Sequence, residues 1–141
     1  MQETFEAPVG FGRLVGYRLV AWRAGYAEVA LTLEAQHLNR TGVPHGGVLT
    51  TLIDTACGYA GVHAEPPAKP RRAVTLALSA QFVGRAGAGS SLRAIARQTG
   101  GGRRIFFTIC EVLDDAGNLI AQGEATFRYR GGGEDPEGER D

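Results

Sequence analysis

The chain has 141 residues, of which 43% are hydrophobic, and equal numbers of acidic and basic side chains. This length suits a single compact domain, and the weak, dispersed charge argues against a nucleic-acid-binding surface. No apolar run approaches the ~20 residues of a membrane span, and the N-terminal residues lack the pattern of a signal peptide. Cys57 and Cys110 lie in separate apolar runs, which predicts free, buried thiols in a cytoplasmic protein.

The first predicted elements are a short helix within residues 4–16 and a half-buried strand over residues 25–34, where apolar and polar side chains alternate. A long apolar helix is predicted from Gly46 to about Ala64. Its apolar side chains recur at intervals of three and four residues and comprise Leu49, Leu52, Ile53, Ala56 and Ala60.

Four further strands are predicted after the helix, separated by glycine-rich or aspartate-containing turns, and they cover residues 73–83, 91–98, 104–113 and 119–130. Residues 104–113 are apolar on both faces, so this strand is expected to lie in the centre of the sheet. Strict alternation gives the first of these strands a small, polar face (Ala73, Thr75, Ala77, Ser79) and an apolar face (Val74, Leu76, Leu78, Phe82).

One long helix and about five to six antiparallel strands predict an α+β fold, in which a curled sheet wraps around the central helix. Residues 1–130 are expected to form this single domain. Residues 131–141 hold five acids and one arginine and are predicted to be a disordered acidic tail. The rest of the chain is therefore mildly basic, which suits a small polyanionic ligand.

The most informative segment joins a glycine-rich turn to the apolar helix. Gly46 and Gly47 open that helix, where backbone N–H groups lack partners within the helix and the helix dipole is positive. These features favour an oxyanion hole, although two glycines could instead simply shape a tight turn. Asp54 has poor helix propensity and no capping role in mid-helix, which favours a general base or nucleophile over a solvated surface acid.

Asn39, the His45-Gly46-Gly47 triplet and Asp54, followed by antiparallel strands, resemble the PaaI-like hotdog-fold thioesterases of the 4-hydroxybenzoyl-CoA thioesterase superfamily. The resemblance covers roughly residues 15–130. It implies a hotdog fold, hydrolysis of an acyl-CoA thioester and active sites at a dimer interface. It also implies that a Ser or Thr near Thr75 faces the site.

The resemblance assigns further roles to polar residues around the turn. Asn39 would bind the nucleophilic water or the thioester oxygen, and His45 would donate to the carbonyl; the alternatives are a turn residue and a structural hydrogen-bonder. Gly47 and Thr75 are expected to contact the substrate, whereas Gly46 is the stronger candidate for the oxyanion donor.

Spacing along the helix adds an independent constraint. Gly46 and Asp54 are eight residues apart, so on one helix they lie about 12 Å apart along its axis. Both can act on one carbonyl carbon only if they come from different subunits, with the two helices antiparallel about a two-fold axis. The sequence therefore predicts an obligatory homodimer, and a dimer of dimers is the expected larger assembly.

The expected substrate is an aryl- or fatty-acyl-CoA, whose phosphates require cations. The chain has fourteen arginines and one lysine, and those in predicted loops or at strand ends are Arg71, Arg72, Arg85, Arg103 and Arg104. No zinc-like Cys/His spacing and no Gly-Lys-Ser/Thr phosphate loop occurs, so neither a metal nor a cofactor is expected. A non-catalytic acyl-CoA-binding hotdog module and a hotdog hydratase or dehydratase are the alternative functions.

Overall fold

In the computed structural model, which describes residues 5–132, a six-stranded antiparallel sheet curls around one long helix. The elements are α1 (Phe11–Val15), β1 (Arg18–Arg23), β2 (Tyr26–Thr32), a 3-10 helix (Ala35–His37), α2 (Gly46–Ala60), β3 (Arg71–Phe82), β4 (Ser91–Gly101), β5 (Ile105–Leu113) and β6 (Leu119–Gly132). The strand order is β1-β2-β4-β5-β6-β3, and every neighbouring pair is antiparallel. The predicted α+β architecture is confirmed.

The core lies between α2 and the inner face of the sheet. Leu52 and Ile53 of α2 are fully buried and form one core with inward side chains of the central strands, including Phe106. Gly123 of β6 lets the helix come close, because a methyl group added there would lie 3.1 Å from Ile53 Cγ2 and 2.5 Å from the Ser79 carbonyl oxygen. This close packing fixes the position of α2 over the sheet.

The helix α2 ends at Ala60, before the predicted end near Ala64. The N–H groups of Gly61 and Val62 bond to carbonyls three residues earlier, which tightens the last turn. The Val62 carbonyl then accepts from the Arg71 N–H at 3.0 Å, so the chain is drawn directly to the start of β3. No helix among residues 5–132 is both long and apolar enough to cross a membrane.

The structure differs from the sequence prediction at strand β1 and at the C-terminal end of strand β6. The strand β1 was not predicted, because its four central residues are all half-buried and show no alternation. The strand β6 includes residues 131 and 132, which the sequence places in the acidic tail. The remainder of that tail, residues 133–141, lies outside the described residues. The strand β5 does lie between β4 and β6, as predicted.

Within residues 5–132, the 12-residue strand β3 lies at the edge of the sheet and pairs with β6 alone. A bulge at Leu76 shifts the register between Thr75 and Ala77, so the alternation of side chains reverses there. Thr75 and Leu78 consequently share the helix-facing side, opposite buried residues of β6, whereas Ala77 lies on the outer face. The prediction of one continuous small, polar face was wrong, because strict alternation cannot anticipate a bulge.

Candidate active site

The N-terminus of α2 has a single open backbone donor. The N-cap residue His45 accepts a hydrogen bond from the Gly47 N–H through Nδ1 at 2.8 Å. Its carbonyl accepts from the N–H groups of Val48 and Leu49 at 2.9 and 3.4 Å. The Gly46 N–H is therefore the only donor of the first turn without a partner among residues 5–132.

Both glycines have a spatial role at this end of the helix. A methyl group on Gly47 would lie 3.0 Å from His45 Nδ1, so glycine leaves room for the imidazole cap. The Gly47 N–H is engaged by this cap, and contact between Gly47 and a substrate stays a prediction. A methyl group on Gly46 would lie 3.4 Å from Cζ of Phe82, an exposed ring that flanks the open donor.

The hydrogen bond to His45 also fixes the state of its ring. Because Nδ1 accepts from the Gly47 N–H, the hydrogen-bonding proton of the ring is carried on Nε2. The Nε2–H group has no partner among the described residues, so it can donate to a ligand. The structural hydrogen bond expected as the alternative for His45 is present, and it leaves Nε2 in place for the donor role, which stays a prediction.

Asn39 organises the loop before the helix. Its side-chain oxygen accepts from the N–H and hydroxyl of Thr41 at 2.9 and 2.8 Å and from the Val43 N–H at 3.3 Å. These hydrogen bonds match the alternative role expected for Asn39, which is that of a residue stabilising a turn. The side-chain NH₂ has no partner within residues 5–132 and remains available. Together with His45 and Arg40, Asn39 lines an open pocket of about 480 Å³.

Asp54 and Thr75 form a second group. The Thr75 hydroxyl on β3 donates to Asp54 Oδ1 on α2 at 2.6 Å, and both side chains are half-buried. The other carboxylate oxygen accepts from no described residue. This pair lines an open pocket of about 220 Å³ beside the helix. The bulge at Leu76 helps to present Thr75 here, because it keeps that part of β3 facing α2.

The two groups do not converge within one chain. Asn39, His45 and Gly46 surround the N-terminus of α2, whereas Asp54 lies about 12 Å further along the same helix axis. The residues predicted from sequence are thus gathered into two half-sites, which line separate pockets. Each half-site contributes chemistry that the other lacks: open donors in one, an open carboxylate oxygen in the other.

The cysteines are structural in the described region. Cys57 on α2 and Cys110 on β5 are free and buried, as predicted. The neighbouring Cys57 thiol, together with burial, raises the pKa of the Cys110 thiol. Neither thiol is accessible to a substrate, so Asp54 is the stronger candidate for the nucleophile or base. No group of His, Cys, Asp and Glu side chains between residues 5 and 132 is arranged to hold a metal ion.

The five arginines proposed for CoA phosphates are divided between the two ends of β3. Arg71 and Arg72 begin the strand. Arg103 and Arg104 lie between β4 and β5 near the same end, where the Arg104 carbonyl accepts from the Tyr129 N–H of β6. Arg71 also stacks on the Tyr129 ring at 3.5 Å. Arg85 is the exception, because it follows the far end of β3, where Phe82 flanks Gly46.

Sequence reasoning missed several aromatic and apolar residues of these half-sites. Phe82 flanks Gly46, and Tyr59 and Phe127 line the pocket beside Asp54. Tyr59 follows Asp54 by five residues, so the three- and four-residue spacing of one helix face does not single it out. Phe82 and Phe127 lie on distant strands, and no local pattern connects them to the helix.

Comparison with known sequences relates this chain to thioesterases and esterases. The sequence profile of the thioesterase superfamily matches residues 41–121. A Pseudomonas aeruginosa protein with the provisional name of an esterase is 34% identical over 99 residues, which cover 70% of this chain and 72% of that protein. The matched segment of the profile includes the open donor of α2, Asp54 and Thr75.

Solved structures share the fold. The E. coli PaaI protein from the phenylacetic acid degradation operon is 26% identical with a TM-score of 0.76, and the match covers 86% of this chain and 85% of that one. Zebra fish thioesterase superfamily member 2 is 29% identical with a TM-score of 0.74, covering 84% of this chain and 86% of its own. The hotdog fold expected from the sequence is therefore confirmed.

Proposed function

Because this chain belongs to the thioesterase superfamily, we propose that it hydrolyses the thioester of an aryl- or fatty-acyl-CoA to the free acid and CoA. One observation carries the proposal: α2 offers one open N–H group at its N-terminus and one open carboxylate oxygen at Asp54. Thioester hydrolysis needs both an oxyanion donor and a group that activates or replaces water.

In the proposed reaction, the thioester carbonyl oxygen receives a hydrogen bond from the Gly46 N–H. The positive end of the helix dipole stabilises the negative charge that develops on that oxygen. The NH₂ group of Asn39 and the Nε2–H of His45 are the additional donors beside it. Glycine at position 46 lets the carbonyl approach the backbone closely.

The Asp54 carboxylate accepts a proton from water as the water oxygen bonds to the carbonyl carbon. The tetrahedral intermediate then collapses: the C–S bond breaks, CoA leaves as a thiolate, and a proton returns to it. A thiol with a pKa of about 8.5 is a good leaving group, so no second acid is required. The alternative path is direct attack by the carboxylate, which gives an anhydride that water hydrolyses.

The proposal requires a homodimer, since the half-sites of one chain are too far apart. The free edge of β3 supports this requirement, because it carries a row of backbone groups open to pairing with another strand. Residues 73–80 contain no charged side chain or proline that would block such pairing, and Val74 and Leu76 are exposed there. Pairing of β3 with its own copy would place two α2 helices side by side and antiparallel.

We extend the proposal to a dimer of dimers through the outer face of the sheet. That face exposes three large apolar side chains in a row on the central strand β5, namely Ile105, Phe107 and Ile109. Each is at least 38% exposed, so the row forms a continuous apolar surface rather than scattered side chains. Closed symmetric packing of two such faces would cover it.

The test is steady-state hydrolysis of a panel of aryl- and fatty-acyl-CoAs, followed by release of the CoA thiol. Turnover is expected, and Asp54→Asn or Asp54→Ala should lower kcat by about 10²- to 10⁴-fold while the unfolding transition is retained. Full activity in both variants would contradict the role of Asp54. Retention of intact acyl-CoA without turnover would favour a binding module, and an enoyl product would favour a hydratase or dehydratase.

A further inference from the structure

One end of the sheet is rich in arginine. The start of β3, the end of β6 and the turn between β4 and β5 meet there, and the Tyr129 N–H of β6 donates to the Arg104 carbonyl at 2.9 Å. Residues 71–75, 102–105 and 128–132 contain no acid and six arginines, namely Arg71, Arg72, Arg103, Arg104, Arg128 and Arg130. These six residues define the arginine end of the sheet.

The arginine end borders the pocket beside Asp54. The Arg71 N–H donates to the Val62 carbonyl at 3.0 Å, and both Val62 and Ala73 line that pocket. Because a strand rises about 3.3 Å per residue, Arg71 lies about 13 Å along β3 from Thr75, the hydrogen-bond partner of Asp54. A substrate whose thioester lies at Asp54 therefore has the arginine end within reach of its distant groups, which in acyl-CoA are phosphates.

The acidic segment of the chain begins at this same end. Residues 133–141 contain five acids, one arginine and no large apolar side chain. They follow Gly132, which pairs with Arg71 across β6 and β3. Nine residues can span up to about 30 Å, whereas neighbouring strands are only about 4.8 Å apart. The length of residues 133–141 therefore allows their acids to reach every arginine of this end.

We propose that residues 133–141 dock on the arginine end of the sheet and compete there with the phosphates of acyl-CoA, so that the chain carries its own electrostatic inhibitor. This inference rests on the proposed use of acyl-CoA as substrate. Covalent attachment keeps the acids at an effective concentration in the millimolar range, whatever the concentration of the protein. A segment without large apolar side chains is held by charge alone, so its attraction to the arginines is screened by salt.

The test uses a full-length neutral-tail variant, in which amides replace the five acids: Glu134→Gln, Asp135→Asn, Glu137→Gln, Glu139→Gln and Asp141→Asn. At low salt its KM for acyl-CoA should be about three- to tenfold below that of the parent, with kcat unchanged, because several exposed ion pairs no longer compete. In about 1 M NaCl, where the Debye length is about 3 Å, the two KM values should coincide. The control substrate is the N-acetylcysteamine thioester of the same acid, which lacks phosphates and should show equal KM in both proteins.

A matched pair of arginine substitutions tests where the segment docks. Arg72→Gln should reduce the gain in affinity that the neutral tail produces, because the two changes act on one interaction. Arg93→Gln removes the same charge at the opposite end of β4, where Arg93 pairs with Leu113, and should leave that gain intact. Equal gains in both backgrounds would overturn docking at the arginine end. Equal changes in KM for acyl-CoA and for the phosphate-free thioester would overturn competition with the phosphates.

Calorimetric titration with CoA itself separates this inference from the proposed function, because CoA carries the phosphates but no thioester. Tighter binding of CoA to the neutral-tail variant at low salt, lost in about 1 M NaCl, would support the inference even if no ester were hydrolysed. Hydrolysis of acyl-CoA combined with identical CoA affinity in the two proteins would overturn the inference and leave the proposed function standing.

Discussion

At the scale of single residues, the open Gly46 N–H can be removed without destroying the helix. Proline lacks an N–H and is well tolerated at the first helical position. The backbone of His45, at φ −59° and ψ 138°, already has the conformation preferred before proline. The position thus permits a substitution that deletes a donor and little else.

Gly46→Pro is expected to lower kcat by about 10²- to 10³-fold, because an oxyanion donor is lost. Gly46→Ala is the matched comparison, since it adds the Cβ that proline also carries but keeps the N–H, and it should lose less activity than Gly46→Pro. The measurements are acyl-CoA hydrolysis and thermal unfolding. Equal activity of the two variants would argue against Gly46 as the donor.

Thr75 allows a matched test of how Asp54 is positioned. Thr75→Val keeps the shape of the side chain but removes the hydroxyl that donates to Asp54 Oδ1. A hydrogen bond to a charged group contributes about 1.5–3 kcal/mol, so kcat should fall roughly tenfold to a hundredfold. Thr75→Ser, which keeps the hydroxyl, should retain most of the activity. Equal losses in both variants would point to packing rather than to the hydrogen bond.

Asp54 and Gly46 could be proposed as site residues from the sequence, because an acid inside an apolar helix and a glycine at its start are both unusual locally; their roles stay predictions. The hydrogen bond from the Gly47 N–H to His45 was not identifiable, because it depends on a side-chain rotamer. The aromatic wall formed by Phe127 was also hidden, since β6 reaches α2 only through the folded sheet.

At the scale of elements, β3 is the strand that the proposed dimer needs. Leu76 is 53% exposed at the bulge on this edge. Leu76→Lys should weaken strand pairing between subunits, because charged side chains, especially lysine, protect edges from association. The expected result is a smaller species by light scattering, with loss of hydrolysis, because the half-sites no longer meet.

Leu14→Lys is the control for replacing an exposed leucine with lysine outside the edge of β3. Leu14 lies on α1 and is 77% exposed, away from the edge of β3. Its replacement should change neither the molecular mass in solution nor the rate of hydrolysis. If both lysine variants retained the parent mass and activity, pairing through β3 would be contradicted.

The elements themselves were largely predictable, because helical spacing and strand alternation are local properties of the sequence. The bulge at Leu76 and the uniformly half-buried β1 were the exceptions. A bulge is defined by its partner strand, and β1 is recognisable only through its pairing with β2. Neither leaves a periodic pattern that could be read in one segment alone.

At the scale of the whole molecule, division of the active site between subunits predicts complementation. Asp54→Asn retains the Gly46 half-site, and Gly46→Pro retains the Asp54 half-site. A hybrid dimer of the two has one site with both defects and one with neither. Random mixing should therefore restore about one quarter of the parent activity, since half of the dimers are hybrids with one intact site.

The measurement is hydrolysis by the two variants refolded together, compared with each variant refolded alone. Both homodimers should be nearly inactive, so the recovered activity reports hybrid sites directly. If the mixture were no more active than the sum of the two variants measured separately, the proposal that Gly46 and Asp54 act from different subunits would be contradicted.

The sequence by itself determined the long helix, most of the strands, the α+β class and the two residues that suggest a reaction, Gly46 and Asp54. It could do so because periodicity, helix capping and the cost of a misplaced acid are properties of neighbouring residues. Only the tertiary structure decided that Thr75 donates to Asp54, that the Gly46 N–H is the one first-turn donor of α2 left without a partner among residues 5–132, and that Phe127 lines the pocket beside Asp54. Those relations join elements far apart in the chain, and packing of α2 against the sheet brings them together.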